Sequence, residues 1–255
     1  MPVGKRLVDS VRVYLTGRVC VDGSDGVIDS FPGRQGRVVF AYLAAERNRP
    51  VPKEELAEVL WTDALPDAWE RALAAIVSKL RGIVRPGRIE NAFGCYQLQL
   101  PGDAWVDVEA ADAAIHEAET LARRREPGPA VGWATVAASI AGRPFLPGED
   151  GEWVASRRNG LQAVLIRALE VRGRMMSLSG EHALAVKDLT AAIALDPFRE
   201  STHQGLMRAH VANGNPAEAL LVYGRLRALL RDELGVDPSA DTERLHLDVL
   251  RSSAG

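Results

Sequence analysis

Five side chains between residues 71 and 85 have the types and spacing to meet a polyanion: Arg71, Ser78, Lys79, Arg81 and Arg85. Leu73, Ile76, Val77, Leu80 and Val84 recur among them at i, i+3, i+4, i+7 and i+11, the stripe of a core-facing helix over residues 67–84. At about 100° per residue, Arg71, Ala75, Ser78 and Gly82 fall opposite that stripe, with Ala74, Lys79 and Arg85 flanking. A helix with one buried face and one small cationic face can lie in a DNA major groove. An ordinary solvated surface helix has the same pattern.

Other chemistry lacks residues. There is no GxxxxGK[ST], no GxGxxG after a strand and no GxSxG, so phosphate cradles and nucleophile elbows are absent from the sequence. His203 and His210 share a helical face near His182 in register, but no HExxH or cysteine partner accompanies them. Cys20 and Cys95 lie far apart with no CxxC, which implies neither a disulfide framework nor a zinc knuckle. An enzyme is therefore not expected, and no cofactor or metal is implied. The densest charge run, Arg123-Arg124-Arg125, sits at a helix end where cations suit the dipole. A solvated cap and a contact with DNA or acidic lipid are both open there.

The elements that must position the cationic helix come before and after it. Val11, Val13, Leu15, Val19 and Val21 alternate with polar residues, and Asp22-Gly23-Ser24-Asp25-Gly26 turns the chain into Val27-Ile28, giving a small antiparallel sheet. A helix over 34–45 follows, burying Val38, Val39, Tyr42 and Leu43. A second starts at Pro52 with Glu54 and Glu55 near its positive end, buries Leu56, Val59 and Leu60, and closes at Trp61. Trp61 has a core reading, in which a mostly buried ring can still donate its indole N–H. After Arg85-Pro86-Gly87-Arg88, the segments around Ile89 and Tyr96–Leu100 flank Asn91-Ala92-Phe93-Gly94 as a hairpin. Sheet, three helices, hairpin is the order of a winged helix-turn-helix.

Pro101-Gly102-Asp103 marks a boundary, placing one domain at 1–105 and a second at 106–255. The second reads as helical throughout: 106–125, 129–141, 152–178, 181–195, 199–213, 216–233 and 239–252. Gly180, Ala183, Ala185 and Leu189 superpose on Gly214, Ala217, Ala219 and Tyr223 at an offset of 34, the period of tetratricopeptide-type repeats. Trp105, Trp133 and Trp153 are expected in the core or at an interface. The fold class is thus mainly α with a small β component.

The apolar share of 47% and the charged share of 25% are those of a globular protein. The net charge of −3 excludes a surface coated with positive charge but not a local patch. Residues 1–105 hold 14 Lys/Arg against 13 Asp/Glu and the rest hold 17 against 21, an asymmetry in the direction a DNA-reading N-terminal half needs. The first ten residues show no apolar leader segment and no run suffices for a membrane span, so a cytoplasmic protein is expected, with no membrane partner.

The stretches Pro32-Gly33-Arg34-Gln35-Gly36-Arg37, Pro52 to Trp61 and Val77-Ser78-Lys79-Leu80-Arg81, with Phe145-Leu146-Pro147-Gly148-Glu149, Asp196-Pro197-Phe198-Arg199-Glu200, Ala219 to Tyr223 and Glu233 to Ser239, run in order through the chain. Together they resemble the Streptomyces antibiotic regulatory proteins (SARPs), an OmpR-like winged helix followed by a bacterial transcriptional activator domain (BTAD). The resemblance implies a sequence-specific activator that binds tandem direct repeats in double-stranded DNA, as a homo-oligomer there, contacts RNA polymerase holoenzyme, and serves specialised-metabolite genes. It implies DNA contacts at Trp61, Arg71, Ala74, Ala75, Ser78, Lys79 and Arg81; Arg85, Arg88 and Asn91 on the wing side are further candidates, with Arg85 and Arg88 equally placed to cap the helix C-terminus. It also implies a polymerase-contacting loop at Thr62, Asp63, Ala64, Leu65 and Pro66. Two departures stand out. Ala74, Ala75 and Gly82 are too short for bidentate bonds to base edges, and the hairpin tip lacks an arginine. The competing reading is a tetratricopeptide-like protein-interaction module with weak or lost DNA binding.

Overall fold

The computed structural model describes residues 10–24, 26–85 and 87–253. Residues 1–9, on which the leader reading rests, and the turn residues Asp25 and Pro86 lie outside the described residues. The chain divides into two compact units. One runs up to Ala110 and also takes Ile140–Leu161; the other comprises Ala111–Ser139 and the chain from Gln162 onward. By their contacts residues 140–161 lie with the first unit, although in sequence they fall within the 106–255 span expected for the second domain.

In that unit, β1 (Arg12–Tyr14), β2 (Cys20–Gly23), β3 (Gly26–Ile28) and β7 (Trp105–Val106) form one sheet in the order β3-β2-β1-β7. The alternation read in the sequence buries Val11, Val13 and Leu15 completely. The strand β7, which no hairpin signal announces, pairs parallel to β1 with Val106 beside Val13. Then follow α1 (Gly33–Ala45), β4 (Val51–Pro52), α2 (Lys53–Leu60), α3 (Trp69–Arg81), β5 (Arg88–Ala92) and β6 (Cys95–Gln99), with a second sheet in the order β4-β6-β5. The helix α1 is buried from Val38 through Ala44 and forms the centre of the unit. Phe31 stacks on Phe40 at 4.8 Å between ring centres, and Trp153 packs on Tyr42 at 4.7 Å and on Phe145 at 5.5 Å.

Residues 140–161 are held to this core by charge as well as by rings. The fully buried Glu149 carboxylate accepts from Arg34 and Arg37 of α1. Arg158 donates to the carbonyls of Phe145, Leu146 and Glu149. Asp107, buried at the foot of the first sheet, accepts the N–H groups of Leu15 (3.0 Å) and Thr16 (2.8 Å) and the Thr16 hydroxyl (2.7 Å).

The helices α4 (Asp107–Arg123), α5 (Pro127–Ala141), α6 (Glu152–Leu178), α7 (His182–Leu195), α8 (Glu200–Ala212), α9 (Pro216–Leu234) and α10 (Ala240–Ser253) complete the chain. In the second unit the repeat positions behave alike. Ala185 and Ala219 are fully buried, Leu189 and Tyr223 belong to one core cluster, and Gly180 and Gly214 take positive φ of 86° and 77° at equivalent turns. Gly173 of α6 lies so close to α7 that a Cβ there would meet the Leu189 side chain at 2.7 Å. Trp133 is a correction: it is 46% exposed, because α5 turns Ala130, Ala134 and Ala137 inward and leaves Trp133 off that stripe. Among the described residues no helix is long and apolar enough to cross a membrane.

Candidate nucleic-acid interface

The helix α3 is set on its core by Leu73, Val77 and Leu80, all at most 1% exposed, while Ile76 is only half-buried. It is shorter than the apolar spacing suggests. Asp67 and Ala68 precede it, and after Arg81 the chain tightens, with the Ile83 N–H donating to the Leu80 carbonyl at 2.8 Å. Val84 still reaches the core from this turn, at 1% exposure, which is why it fits the helical pattern without being in the helix.

The position of α2, which leads into α3, is held by a small polar cluster. Arg49 bridges Glu46 and Glu55, and Tyr42 donates to Glu55. Hydrogen bonding from Arg49, with a further bond from Tyr42, holds the Glu55 carboxyl below its ordinary range against the effect of burial. Burial and the Glu55 bond push the Tyr42 phenol up to about 12.

The outward face of α3 carries Arg71, Ala74, Ala75, Ser78, Lys79 and Arg81, every one exposed, and Arg85 and Arg88 are exposed just beyond. Arg71, Lys79 and Arg85 make no hydrogen bond or ion pair with any described residue. Elsewhere in this unit most arginines are matched to carboxylates: Arg34 and Arg37 to Glu149, Arg47 to Glu109, Arg49 to Glu55 and Arg157 to Glu46. Two of the expected contacts are partly committed within the fold. The Arg81 Nε donates to the Ile89 carbonyl at 3.1 Å, tying α3 to β5, and Arg88 pairs with Glu90 at 2.7 Å. Asn91 is exposed on β5.

Between α3 and the hairpin lies an open concavity of about 590 Å³ lined by Lys53, Trp69, Arg71, Asn91 and Tyr96, with Asp67 and Glu70 at its α3 end. The Lys53 ammonium sits 5.7 Å from the centre of the Tyr96 ring. Sequence reasoning overlooked Lys53, since it sought cations on α3 alone. It also overlooked Phe93, the fully exposed tip of the β5–β6 hairpin. A phenylalanine inside an Asn-Ala-Phe-Gly turn reads only as a turn residue.

The remaining expected residues gather elsewhere in the unit. Trp61 is half-buried and, with Thr62, Asp63 and Ala64, lines a cleft of about 600 Å³ that Trp153 and Val38 also border. Glu58, Asp63, Asp150 and Glu152 surround this cleft, and its one cation, Arg34, is already paired with Glu149. Leu65 and Pro66 continue the loop in the open, Leu65 at 53% exposure. The site residues thus fall into a cationic set on α3 and the hairpin and an acidic set around Trp61.

Comparison with known proteins gives the same architecture. The chain is 30% identical to the regulatory protein AfsR of Streptomyces coelicolor over 242 residues, covering 95% of this chain and 24% of that protein. It is 26% identical to the regulatory protein DnrI of Streptomyces peucetius, covering 87% of this chain and 86% of that one. The chain therefore spans about a quarter of the length of AfsR. The solved structure of Mycobacterium tuberculosis EmbR in complex with a low-affinity phosphopeptide superposes with a TM-score of 0.86 at 22% identity, over 95% of this chain and 65% of that one, and so shares the fold. The family model of the bacterial transcriptional activator domain matches residues 106–250, and the chain belongs to that family, as a protein of the SARP type.

Proposed function

We propose that the chain is a DNA-binding transcriptional activator whose helix α3 enters the major groove of a promoter direct repeat. One observation carries this reading: Arg71, Lys79 and Arg85 stand exposed and without partners among the described residues on one side of a unit that pairs most of its other arginines with its own carboxylates. Unpaired cations on a helix face are free to replace the counterions of phosphates. Ala74, Ala75 and Ser78 make the same face shallow enough for close approach to the groove floor. In this reading Asn91 and Arg88 approach from the hairpin, and Arg81 keeps α3 and the hairpin together through the Ile89 carbonyl. The loop Thr62 to Pro66 and its acidic cleft repel DNA and face RNA polymerase instead, and Trp61 goes with that face rather than with phosphate. Residues 106–250, with their paired helices, support contacts between protomers on tandem sites about one helical turn apart. The regulated genes are those of specialised metabolism.

Lys79→Ala tests the reading. Binding of the full chain to duplex DNA, followed by fluorescence anisotropy across a salt series, is expected to weaken for every sequence and to lose about 0.9 from the slope of log K against log salt. An unchanged slope removes Lys79 from the interface, and absence of binding to any duplex at low salt leaves only the protein-interaction reading.

A further inference from the structure

The hairpin tip carries a residue that the fold does not need. Phe93 and Gly94 connect β5 to β6, and both have positive φ, 51° and 77°. Two-residue hairpin turns of this kind favour asparagine or glycine, because a bulky side chain in the left-handed region is strained. Phe93 is also wholly exposed, at 104% of its reference area. Its conformation is unfavourable and its ring gains nothing from the core. Strain kept where no packing requires it is the kind of outlier that points to a contact outside the fold.

The surroundings indicate what that contact is. The Lys53 N–H donates to the Gly94 carbonyl at 3.1 Å, which sets the start of α2 against the tip. The Lys53 ammonium is unpaired among the described residues and, with Arg71 and Asn91, borders the concavity between the hairpin and α3, whose acids Asp67 and Glu70 sit at the α3 end. Cations and an amide beside an exposed aromatic suit a nucleic acid better than an apolar protein surface. When one element of a protein occupies a major groove, a hairpin beside it meets the neighbouring minor groove, which is about 6 Å wide. Apolar side chains, phenylalanine among them, enter that groove by partly unstacking a base step, most easily a pyrimidine–purine step.

We propose that Phe93 is a wedge that enters the minor groove beside the site read by α3 and opens a base step there. The proposal rests on the DNA-binding reading above. It gives the chain a means of choosing sites by deformability, which its short-sided recognition face does not supply through base-edge hydrogen bonds.

The test uses the full chain and a duplex that the chain itself selects from a random library, with 2-aminopurine placed at each step flanking the α3 site. The unsubstituted protein is expected to raise 2-aminopurine emission at one step. Phe93→Asn is expected to weaken binding roughly tenfold, as loss of one base-stacking contact implies, and to abolish that rise. It leaves the salt slope unchanged, because no charge is altered. The same substitution is expected to raise the melting temperature by about 2 °C, since asparagine tolerates the turn. A gain in stability together with a loss in affinity separates a wedge from a structural residue. If Phe93→Asn changes neither affinity nor emission while Lys79→Ala still flattens the salt slope, the wedge fails and the interface stands. If the unsubstituted chain binds no duplex at low salt, both fail. If Phe93→Asn abolishes self-association without altering DNA affinity, the tip is a protein contact and the proposal is overturned.

Discussion

Replacing Asp107 removes the anchor at the foot of the first sheet, and the size of the loss follows from its partners. The carboxylate accepts the Leu15 N–H at 3.0 Å, the Thr16 N–H at 2.8 Å and the Thr16 hydroxyl at 2.7 Å, in a site where Leu15, Thr16 and Asp107 are at most 1% exposed. Truncation to alanine leaves the Leu15 and Thr16 N–H groups buried without acceptors, each costing about 1–3 kcal/mol, and also removes the acceptor of the half-buried Val108 N–H at 2.8 Å. The hydroxyl can rotate to another acceptor, so the total expected for Asp107→Ala is about 3–5 kcal/mol. Asp107→Asn keeps one acceptor oxygen but turns an NH2 toward a donor, and an intermediate loss of about 2 kcal/mol follows. Thr16→Val removes a single bond and is expected to cost about 1 kcal/mol. Native-state amide exchange read at Leu15 and Thr16 isolates this unit from the helices that follow, and urea unfolding gives the global value. An Asp107→Ala loss below about 1 kcal/mol, or an asparagine variant no better than alanine, would refute the reasoning.

Two further outcomes can be checked on the same material. Burial by itself would raise the Glu200 carboxyl, but the Thr242 and Ser239 hydroxyls and the Ser239 N–H hold it below its ordinary value. The folded state therefore binds this proton less readily than the unfolded chain. Glu200→Gln is expected to cost about 1 kcal/mol above the unfolded carboxyl value near 4.5, with the difference fading as pH falls through the lowered folded value; thermal melts from pH 7 to pH 3 measure it. Gly87→Ala places a Cβ 2.8 Å from the carbonyl oxygens of Val84 and Gln99, both backbone atoms, and is expected to loosen the β5–β6 hairpin by about 1–3 kcal/mol, read as faster amide exchange at Ile89 and Leu98.

What the sequence disclosed and what it withheld divide along a physical line. Periodicity and turn chemistry are local, so α6 was readable at residues 152–178, the β5–β6 hairpin within a residue or two, and the paired repeat through Gly180 and Gly214. The exposed face of α3 was readable because Leu73, Val77 and Leu80 fix which way the helix turns. The attachment of 140–161 to the N-terminal unit was not readable. It depends on Glu149 meeting Arg34 and Arg37 across more than a hundred residues of chain, and no spacing rule carries that distance. The strand β7 has two residues and a parallel partner, too few for alternation to register. Trp61 and the helix-end loop were assigned roles by resemblance alone, and only the surrounding carboxylates of Glu58, Asp63 and Glu152 reveal the acidity of their setting.

On the DNA-binding reading proposed above, the division of charge lets a chain of net charge −3 still present a cationic surface. Net charge governs long-range attraction, but binding depends on the cations left unpaired at the point of contact. In the N-terminal unit, Glu46, Glu55, Glu109 and Glu149 engage the arginines of α1, the turn after it and the start of α6. Those ion pairs orient α1, and α1 in turn provides the floor on which α3 rests. The same acids therefore hold the scaffold and quench most of the arginines away from α3. The four carboxylates around Trp61 add a face from which a phosphate backbone is excluded. A duplex approaching such a unit has one side on which counterion release is favourable and another on which it is not. On the proposed reading, the acidic side then remains open to a partner of the opposite sign while the cationic side is occupied by DNA.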